Sequence, residues 1–179
     1  VLVMSSYKND LLHGSTIFYK NDQVLFRLKY QNHKLNGINQ AYKKGKIVFQ
    51  VELKDNHLHG VVQRYDEKKN ALRSVQLYKN NIREGRADYY LNKKLNASAT
   101  FENDLLHGEY ITYRTNGKVA TKITFENGEI TGNQKEFDTK GNLIAERILN
   151  KQKNIFIEKI TYKNGEEIST KKIKEEVIC

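Results

Sequence analysis

A motif that recurs every 23 to 25 residues constrains the fold of this chain more than any other feature. Each copy begins with an aromatic residue, or once with Leu53, runs through polar residues and reaches a glycine seven positions later. The six clear copies span 7–14, 30–37, 53–60, 78–85, 101–108 and 125–132. A seventh, degenerate copy begins at Leu149 and has Phe156 where the glycine is expected. Repeats of this length predict one small structural unit stacked many times.

A second marker divides each repeat in two. An aromatic residue follows every repeat glycine by five positions, and a polar turn follows it: Tyr19, Tyr42, Tyr65, Tyr90, Tyr113 and Phe137. We call the polar turn before the glycine the first turn, and the one after this aromatic the second turn. Two extended segments and two turns per repeat predict a β-hairpin. We expect the second aromatics to fill a thin core, with an exposed groove for a peptide or glycan as the alternative.

Alternating apolar residues support strands rather than helices. In the segments 24–30, 47–53 and 119–125, every second residue is apolar or threonine, which predicts one shared face for each set. Asn116-Gly117, Asn127-Gly128 and Asn164-Gly165 predict type I′ turns because both residues tolerate positive φ. The repeat glycines are expected where the backbone turns sharply or where strands pass closely.

These features predict an all-β protein in which about seven antiparallel hairpins form one elongated sheet. The array is expected over 1–165. Residues 166–179 form a charged C-terminal cap or tail for which the sequence leaves strand and helix open.

The repeats resemble the MORN family, in particular its bacterial variant. The motif of that family is close to Y-x-N-G-x-x-x-G-x-x-x-x-Y-x-x-x-G. The best matches are 125–132 followed by Phe137-Asp-Thr-Lys-Gly, and 101–108 followed by Tyr113-Arg-Thr-Asn-Gly. The first four copies differ by having Asp, His or Asn at the usual turn glycine. The resemblance covers roughly residues 7 to 165 and implies an array of β-hairpins.

The resemblance implies binding rather than catalysis. Its repeats are implicated in protein–protein contacts and, in some members, in binding anionic phospholipids; one bacterial branch is labelled antitoxin-like. Plant phosphatidylinositol phosphate kinases carry MORN repeats ahead of their kinase domain. A phosphatidylinositol-4-phosphate 5-kinase label would therefore come from the repeats alone, because the chain has no nucleotide-binding glycine-rich loop.

No cofactor, metal site or catalytic constellation is expected. His13, His59 and His107 occupy equivalent repeat positions, so His13 and His59 would lie about 19 Å apart, too far to share a metal ion. The single cysteine, Cys179, excludes an internal disulfide. Carboxylates such as Glu109 and Glu136 are scattered over strands, and no nucleophile motif accompanies them. We therefore expect no enzymatic activity.

The formal net charge of +10 favours acidic partners. Lysines are concentrated in the second turns, so in-register stacking predicts a basic stripe with charges about every 10 Å along one edge. The candidate binding residues are Lys43, Lys44, Lys68, Lys69, Lys93, Lys94, Arg114 and Lys118. The alternative is that these are simply solvated loop cations.

We expect a binding or scaffolding module for a protein partner, and binding of anionic phospholipid headgroups as the alternative. Nucleic acid is not expected, because no recognition motif is present. An open sheet edge would also allow oligomerisation. The non-Met start and the absence of a cytosolic cofactor motif favour an exported or surface bacterial protein over a cytoplasmic one.

Overall fold

The computed structural model describes residues 1–153 and 155–177, and within them every regular element is a β-strand. The chain divides into two compact units, Val1–Lys93 and Lys94–Cys179. Both are antiparallel throughout, so the predicted all-β class is confirmed. Among the described residues, no helix is long and apolar enough to span a membrane. The predicted boundary between the array and a tail at 165/166 stays a prediction.

The first unit is an antiparallel sheet in which each strand pairs with its neighbours along the chain. Its strands are β1 (Leu2–Lys8), β2 (Leu11–Lys20), β3 (Gln23–Gln31), β4 (Lys34–Leu35), β5 (Gly37–Lys43), β6 (Lys46–Lys54), β7 (His57–Asp66), β8 (Ala71–Lys79) and β9 (Ile82–Leu91).

The second unit has the same plan. Its strands are β10 (Lys94–Glu102), β11 (Leu105–Leu106), β12 (Gly108–Tyr113), β13 (Val119–Glu126), β14 (Glu129–Ile130), β15 (Gln134–Phe137), β16 (Leu143–Asn150), β17 (Ile155–Lys163) and β18 (Glu166–Val177). Residues 166–177, for which the sequence left strand and helix open, therefore form a strand paired with β17. Cys179 lies outside the described residues.

The described residues contain more strands than seven hairpins require. In three repeats the strand is interrupted just before the glycine, which leaves β4, β11 and β14 as two-residue pieces. At all three interruptions the residue before the glycine donates its N–H back across the hairpin, each over 2.9 Å: Asn36 to Lys29 O, His107 to Thr100 O and Thr131 to Thr124 O. The extra strands thus arise because an irregularity before the glycine divides a predicted strand into two pieces.

The first turns are two-residue turns in which both residues have positive φ. This holds for all six clear repeats: 9–10, 32–33, 55–56, 80–81, 103–104 and 127–128. Mirror-image turns of this kind suit the twist of a hairpin, and Asn, Asp and Gly tolerate them best. The predicted type I′ turns at Asn127-Gly128 and Asn164-Gly165 are confirmed in backbone conformation.

The predicted type I′ turn at Asn116-Gly117 is wrong. Only Gly117 has positive φ (84°), and the turn is closed by Arg114 N–H donating to Lys118 O over 2.8 Å. Gly117 N–H also donates to Arg114 O over 2.9 Å. The physical reason is length, because the strands end at Tyr113 and resume at Val119 and so require a longer loop.

Consecutive first turns are joined by backbone hydrogen bonds. Asn56 N–H donates to Leu35 O (3.0 Å), and Leu35 N–H donates back to Asn56 Oδ1 (2.7 Å). Asn81 and Leu58 repeat the pair at 2.9 and 2.7 Å. The same backbone hydrogen bond occurs in two further places, where His33 N–H donates to Leu12 O and Gly128 N–H donates to Leu106 O. The asparagine side chain thus supplies an acceptor to the backbone N–H of the preceding repeat.

The repeat glycines lie where neighbouring strands pass closely, as predicted. Gly60 has a φ of +111°, and a Cβ added there would collide with the side chain of Glu52 on the adjoining strand. At Gly132 the φ is not positive, and the close neighbour is the Thr124 side chain at 3.4 Å from an added Cβ. Close approach is therefore the requirement that these two positions share.

A register shift beside five of the second turns corrects one predicted face. Tyr42 pairs with Ile47 but Ala41 pairs with Phe49, so one extra residue lies between them on β6. Ile47 therefore lies on the face of Tyr42, not on that of Phe49 and Val51. The same shift separates Val24 from Phe26 and Val119 from Thr121. The prediction of one uninterrupted face for each segment is wrong at its first residue.

The buried residues of the first unit are small and lie on one sheet face. Thr16, Asn39, Val62 and Ala87 occupy the equivalent position two residues after the repeat glycine, and each is at most 4% exposed. The second aromatics lie on the other face and are only half-buried. The expectation that these aromatics fill the core is therefore corrected: in the first unit the buried residues are small ones on the opposite face.

A different core forms in the second unit. Ile130, Leu149 and Phe156 are buried together, and Ile173 of β18 packs against them with Ile123 and Phe125. Phe156, which replaces the glycine of the degenerate copy, is only 5% exposed. The degenerate position thus contributes a large apolar side chain to this cluster.

Replacing Asn81 tests the contact between first turns. Asn81→Gly tolerates the positive φ but removes the acceptor for Leu58 N–H, so we expect the free energy of unfolding to fall by about 1 kcal/mol. Asn81→Asp keeps an oxygen acceptor and should be close to wild type. Urea denaturation, together with amide hydrogen exchange at Leu58, measures both effects. Equal loss of Leu58 protection in the two variants would contradict the assigned role of this oxygen.

Candidate binding surface

The eight predicted cations all lie in or beside second turns. Lys43, Lys44, Lys68, Lys69 and Lys93 belong to the first unit; Lys94, Arg114 and Lys118 belong to the second. Seven of the eight are exposed, and Arg114 is half-buried. The turn conformation supports this placement, since Lys44 and Lys93 themselves have positive φ and project from the chain reversal. Within each unit, the structure therefore brings the predicted residues to the second turns.

Five of these cations contact the next second turn along the chain. Lys43 Nζ lies 2.6 Å from Glu67 Oε2, and Lys69 Nζ donates to Asn92 Oδ1 over 2.7 Å. In the second unit the acceptors are backbone carbonyls: Lys94 donates to Thr115 O, Arg114 to Phe137 O and Lys118 to Lys140 O. These side chains join repeats 21 to 24 residues apart. Sequence reasoning missed this role, although equal spacing of the donors and acceptors was a signal for it.

The remaining three predicted cations have ammonium groups without such contacts. Lys44, Lys68 and Lys93 form no side-chain hydrogen bond or ion pair with the described part of the chain, and all three are exposed. They lie on consecutive second turns of the first unit. Two strand spacings separate neighbouring turns, so the charges recur at about 10 Å. We call these three residues the free lysine row.

Two second turns are organised by an aspartate. Asp138 accepts hydrogen bonds from the Asn142 side chain (3.0 Å) and from the Asn142 and Lys140 backbones (both 2.8 Å). These bonds lower the pKa of Asp138 below its ordinary value of 3.8. Asp66 likewise accepts from the Lys69 and Lys68 backbone amides, and the Lys69 bond is the main cause of its lowered pKa.

The histidines take part in the first turns. His13 Nδ1 lies 3.2 Å from Asn32 Oδ1, and His59 Nδ1 lies 3.2 Å from Asn80 Oδ1. His57 instead contacts Asp55 O of its own turn at 2.8 Å. Among the described residues, no group of three or more His, Cys, Asp or Glu side chains could hold a metal ion.

A hydrogen-bonded chain of side chains crosses the tyrosine-bearing face of the first unit. Gln40 donates to Gln50 (2.7 Å), and Gln50 donates to Gln63 (3.0 Å). Tyr42 Oη and Tyr65 Oη donate to Gln40 and Gln63 over 2.7 and 3.1 Å. This chain spans β5, β6 and β7 and fixes the two tyrosine rings. The glutamines at equivalent repeat positions were the sequence signal for it.

The same face of the first unit carries an exposed apolar row. Ile38 and Leu77 are 53% and 39% exposed, and half-buried Val61 pairs directly with Leu77. Ile38 pairs with Glu52, whose Oε2 lies 3.3 Å from Val61 N. We call Ile38, Val61 and Leu77 the apolar row. Ile38 and Val61 each directly follow a repeat glycine, a position the sequence analysis did not single out.

Charged side chains on the second unit pair with one another. Arg147 donates to Glu136 and, over 2.8 Å, to Gln134; Lys159 Nζ lies 3.6 Å from Glu136 Oε2. Glu136 and Arg147 are 22% and 25% exposed. The carboxylate of Glu136 therefore has two cationic partners, Arg147 and Lys159.

A family model described as the MORN repeat variant matches residues 106–127, and the resemblance drawn from the repeats is thereby confirmed. Repeats of this family are generally associated with binding and scaffolding. No curated protein matches the chain.

One similar solved structure is a mutant of S. aureus TarM in complex with Fondaparinux, alpha-GlcNAc-glycerol and UDP. It is 15% identical, with a TM-score of 0.31, over 60% of this chain and 19% of that one. The chain thus spans about a fifth of the length of that structure.

The hydrogen bonds of Asp138 make the second turn between β15 and β16 sensitive to acid. A lowered folded-state pKa contributes stability that is present above the ordinary value of 3.8 and lost as pH falls through the folded-state value. We expect amide exchange at 139–142 to accelerate in that acid range, and Asp138→Asn to remove the dependence. The second turn at 114–118 has no carboxylate and is the internal control. An equal acid response in both turns would contradict the assignment.

Proposed function

We propose that this chain is a non-catalytic MORN-type binding or scaffolding module and that its partner is a protein. The observation that supports the proposal most is the apolar row on the open face of the first unit. Exposed apolar side chains that lie close together on one sheet face and are rimmed by polar groups are typical of protein-binding surfaces. Here Val61 and Leu77 are directly paired, and Glu52 of β6 lies between Ile38 and Val61. Neutralisation of a partner protein, as in the antitoxin-like branch, is a special case of this function.

Strand pairing beneath the apolar row holds its side chains in position. Val61 and Leu77 are directly opposed on β7 and β8, and Glu52 fixes the backbone beside Val61 by accepting its N–H. A partner that covers Ile38 and Leu77 would remove two large, well-positioned apolar side chains from water. Burial of each contributes about 1.5–3 kcal/mol at most, which is the scale of an interface hot spot.

A binding role is also consistent with the ion pairs that the carboxylates form. Glu136 pairs with Arg147 and Lys159, and Glu109 lies 3.1 Å from Lys122 Nζ. A general acid or base must be available to a substrate, whereas each of these carboxylates is already engaged in an ion pair within the chain. We therefore propose structural roles for these residues rather than catalytic ones.

Substitutions in the apolar row test the protein-binding proposal. The chain is immobilised, incubated with cell lysate at low and high salt, and the captured proteins are identified by mass spectrometry. The Ile38→Ser/Leu77→Ser double variant should reduce the capture of a specific partner about tenfold or more, since both side chains are exposed and their loss should not unfold the sheet. Capture by wild type should persist at high salt.

Leu91→Ser is the matched control, because Leu91 is 60% exposed in the same unit but lies at the end of β9, away from the row. Its capture should equal that of wild type. Equal capture by all three proteins would show that the row is not the binding site.

The alternative function is attachment to anionic phospholipid headgroups. It is favoured by the free lysine row, whose three ammonium groups are exposed and form no contact within the described chain. A lysine near an anionic membrane surface contributes about 1 kcal/mol, so three would contribute about 3 kcal/mol. The five cations that contact a neighbouring turn are less available for this purpose.

Vesicle co-sedimentation tests this alternative. Changing Lys44, Lys68 and Lys93 together to Glu should weaken binding to anionic vesicles about a hundredfold, and high salt should abolish wild-type binding. The control changes Lys8, Lys54 and Lys79 to Glu, which alters the net charge equally beside the first turns. Equal loss in both variants would indicate non-specific attraction, and no wild-type binding at low salt would reject lipid attachment.

A further inference from the structure

Four Asn-Gly pairs occur in this chain, at 36–37, 116–117, 127–128 and 164–165. Asn followed by Gly is the most reactive context for loss of the side-chain amide, because glycine has no Cβ to hinder its backbone nitrogen from approaching the asparagine side chain. The reaction also requires that this nitrogen and the carboxamide be free to move. The structural environment of each pair therefore decides which asparagine can react.

Hydrogen bonds restrain the first three pairs. Asn36 Oδ1 accepts from Asp55 N–H over 3.2 Å. Asn116 is held at both ends of its carboxamide, since Oδ1 accepts from Lys118 N–H (3.1 Å) and Nδ2 donates to Thr139 O (3.1 Å). At the third pair, Gly128 N–H donates to Leu106 O over 2.8 Å. In each case a group needed for the reaction is already hydrogen-bonded.

The fourth pair lacks these restraints. Asn164 and Gly165 form the exposed turn between β17 and β18, with φ of 54° and 84°. Within the described residues, neither the Asn164 carboxamide nor Gly165 N–H has a hydrogen-bond partner. Over 1–153 and 155–177, no residue acts on Gly165 N–H as Leu106 O acts on Gly128 N–H. The pair is the same dipeptide as Asn127-Gly128 in the same turn conformation, so the environment is what differs.

We propose that Asn164 is a site of spontaneous deamidation and that contacts between repeats protect the other three asparagines. Gly165 N loses its proton to solvent and bonds to Asn164 Cγ; the side-chain nitrogen leaves as ammonia, which gives a five-membered imide. Water then adds to either imide carbonyl and breaks one C–N bond. The products are aspartate or isoaspartate, and no oxidant or reductant is needed.

The product would alter the last hairpin. Isoaspartate routes the main chain through an additional carbon, so a two-residue turn would no longer match the pairing of Lys163 with Glu166. The new carboxylate would also lie near Glu166 and Glu167, and like charges in one turn repel. Because Ile173 of β18 packs on the Ile130 cluster, loosening of this hairpin would reach the core of the second unit.

Ageing of the full chain tests the proposal. The protein is incubated in mildly alkaline buffer, and peptide mapping by mass spectrometry follows all four asparagines in one sample. Asn164 should react about tenfold or more faster than Asn127, because the latter must first open locally. In urea that unfolds the chain, the two rates should converge. Equal rates in the folded protein, or a preference for Asn164 that persists in urea, would overturn the proposal.

Hydrogen exchange of aged protein tests the structural consequence. Exchange over 166–173 should increase in aged wild type, but not in aged Asn164→Gly, which tolerates the positive φ and has no side chain that can cyclise. Asn127→Gly is the matched control and should age like wild type. An increase of equal size in Asn164→Gly would show that Asn164 chemistry is not the cause.

Discussion

The hydrogen bonds between successive first turns are the interaction on which the rest of the structure depends. A single-layer sheet cannot gain much from a two-sided core, and in the first unit the buried residues are small. Its repeats must therefore be aligned by polar contacts. The backbone bonds from Asn56 to Leu35 and from Asn81 to Leu58 provide this alignment, and the returning bonds to the asparagine oxygens complete it. Positive φ is what orients these groups towards the preceding repeat.

In the second turns, cationic side chains align successive repeats. Here Lys43, Lys69, Lys94, Arg114 and Lys118 each reach an acceptor in the following turn of the same unit. Exposed contacts of this type are individually weak, about 0–1 kcal/mol each, but they recur in register. The basic composition of the turns is therefore partly a structural requirement. Net charge alone overstates the number of cations that are available to a partner.

Much of the fold could be predicted from the sequence because its signals are local. Period-two alternation, asparagine in the turns and the recurrent glycine each act within a few residues, and hairpins, turn conformations and close approaches at Gly60 followed from them. The errors arose where pairing depends on loop length or register. Asn116-Gly117 belongs to a longer loop, and the register shift beside Tyr42 moves Ile47 to the other face.

The candidate site could be predicted only in outline. The sequence placed eight cations in equivalent turns, but whether Lys68 or Lys69 is free depends on an acceptor, Asn92, that is a full repeat away. The apolar row was missed because its members belong to different repeats and become neighbours only in the sheet. In a repeat array, the availability of a side chain for binding therefore depends on contacts with the next repeat. Composition and single motifs do not reveal these contacts.

In the second turns, alignment of the repeats and the proposed binding of an anionic partner would draw on the same lysine side chains. A lysine that contacts the next turn cannot also approach a partner without losing that contact, while one that is free adds nothing to alignment. The exposed positions after the repeat glycines, such as Ile38, avoid this conflict because their own side chains take no part in the hydrogen bonds that align the strands. A sheet built in this way can vary its binding face without weakening its repeat contacts. This separation is the physical basis on which we favour the apolar row over the lysines as the principal binding surface.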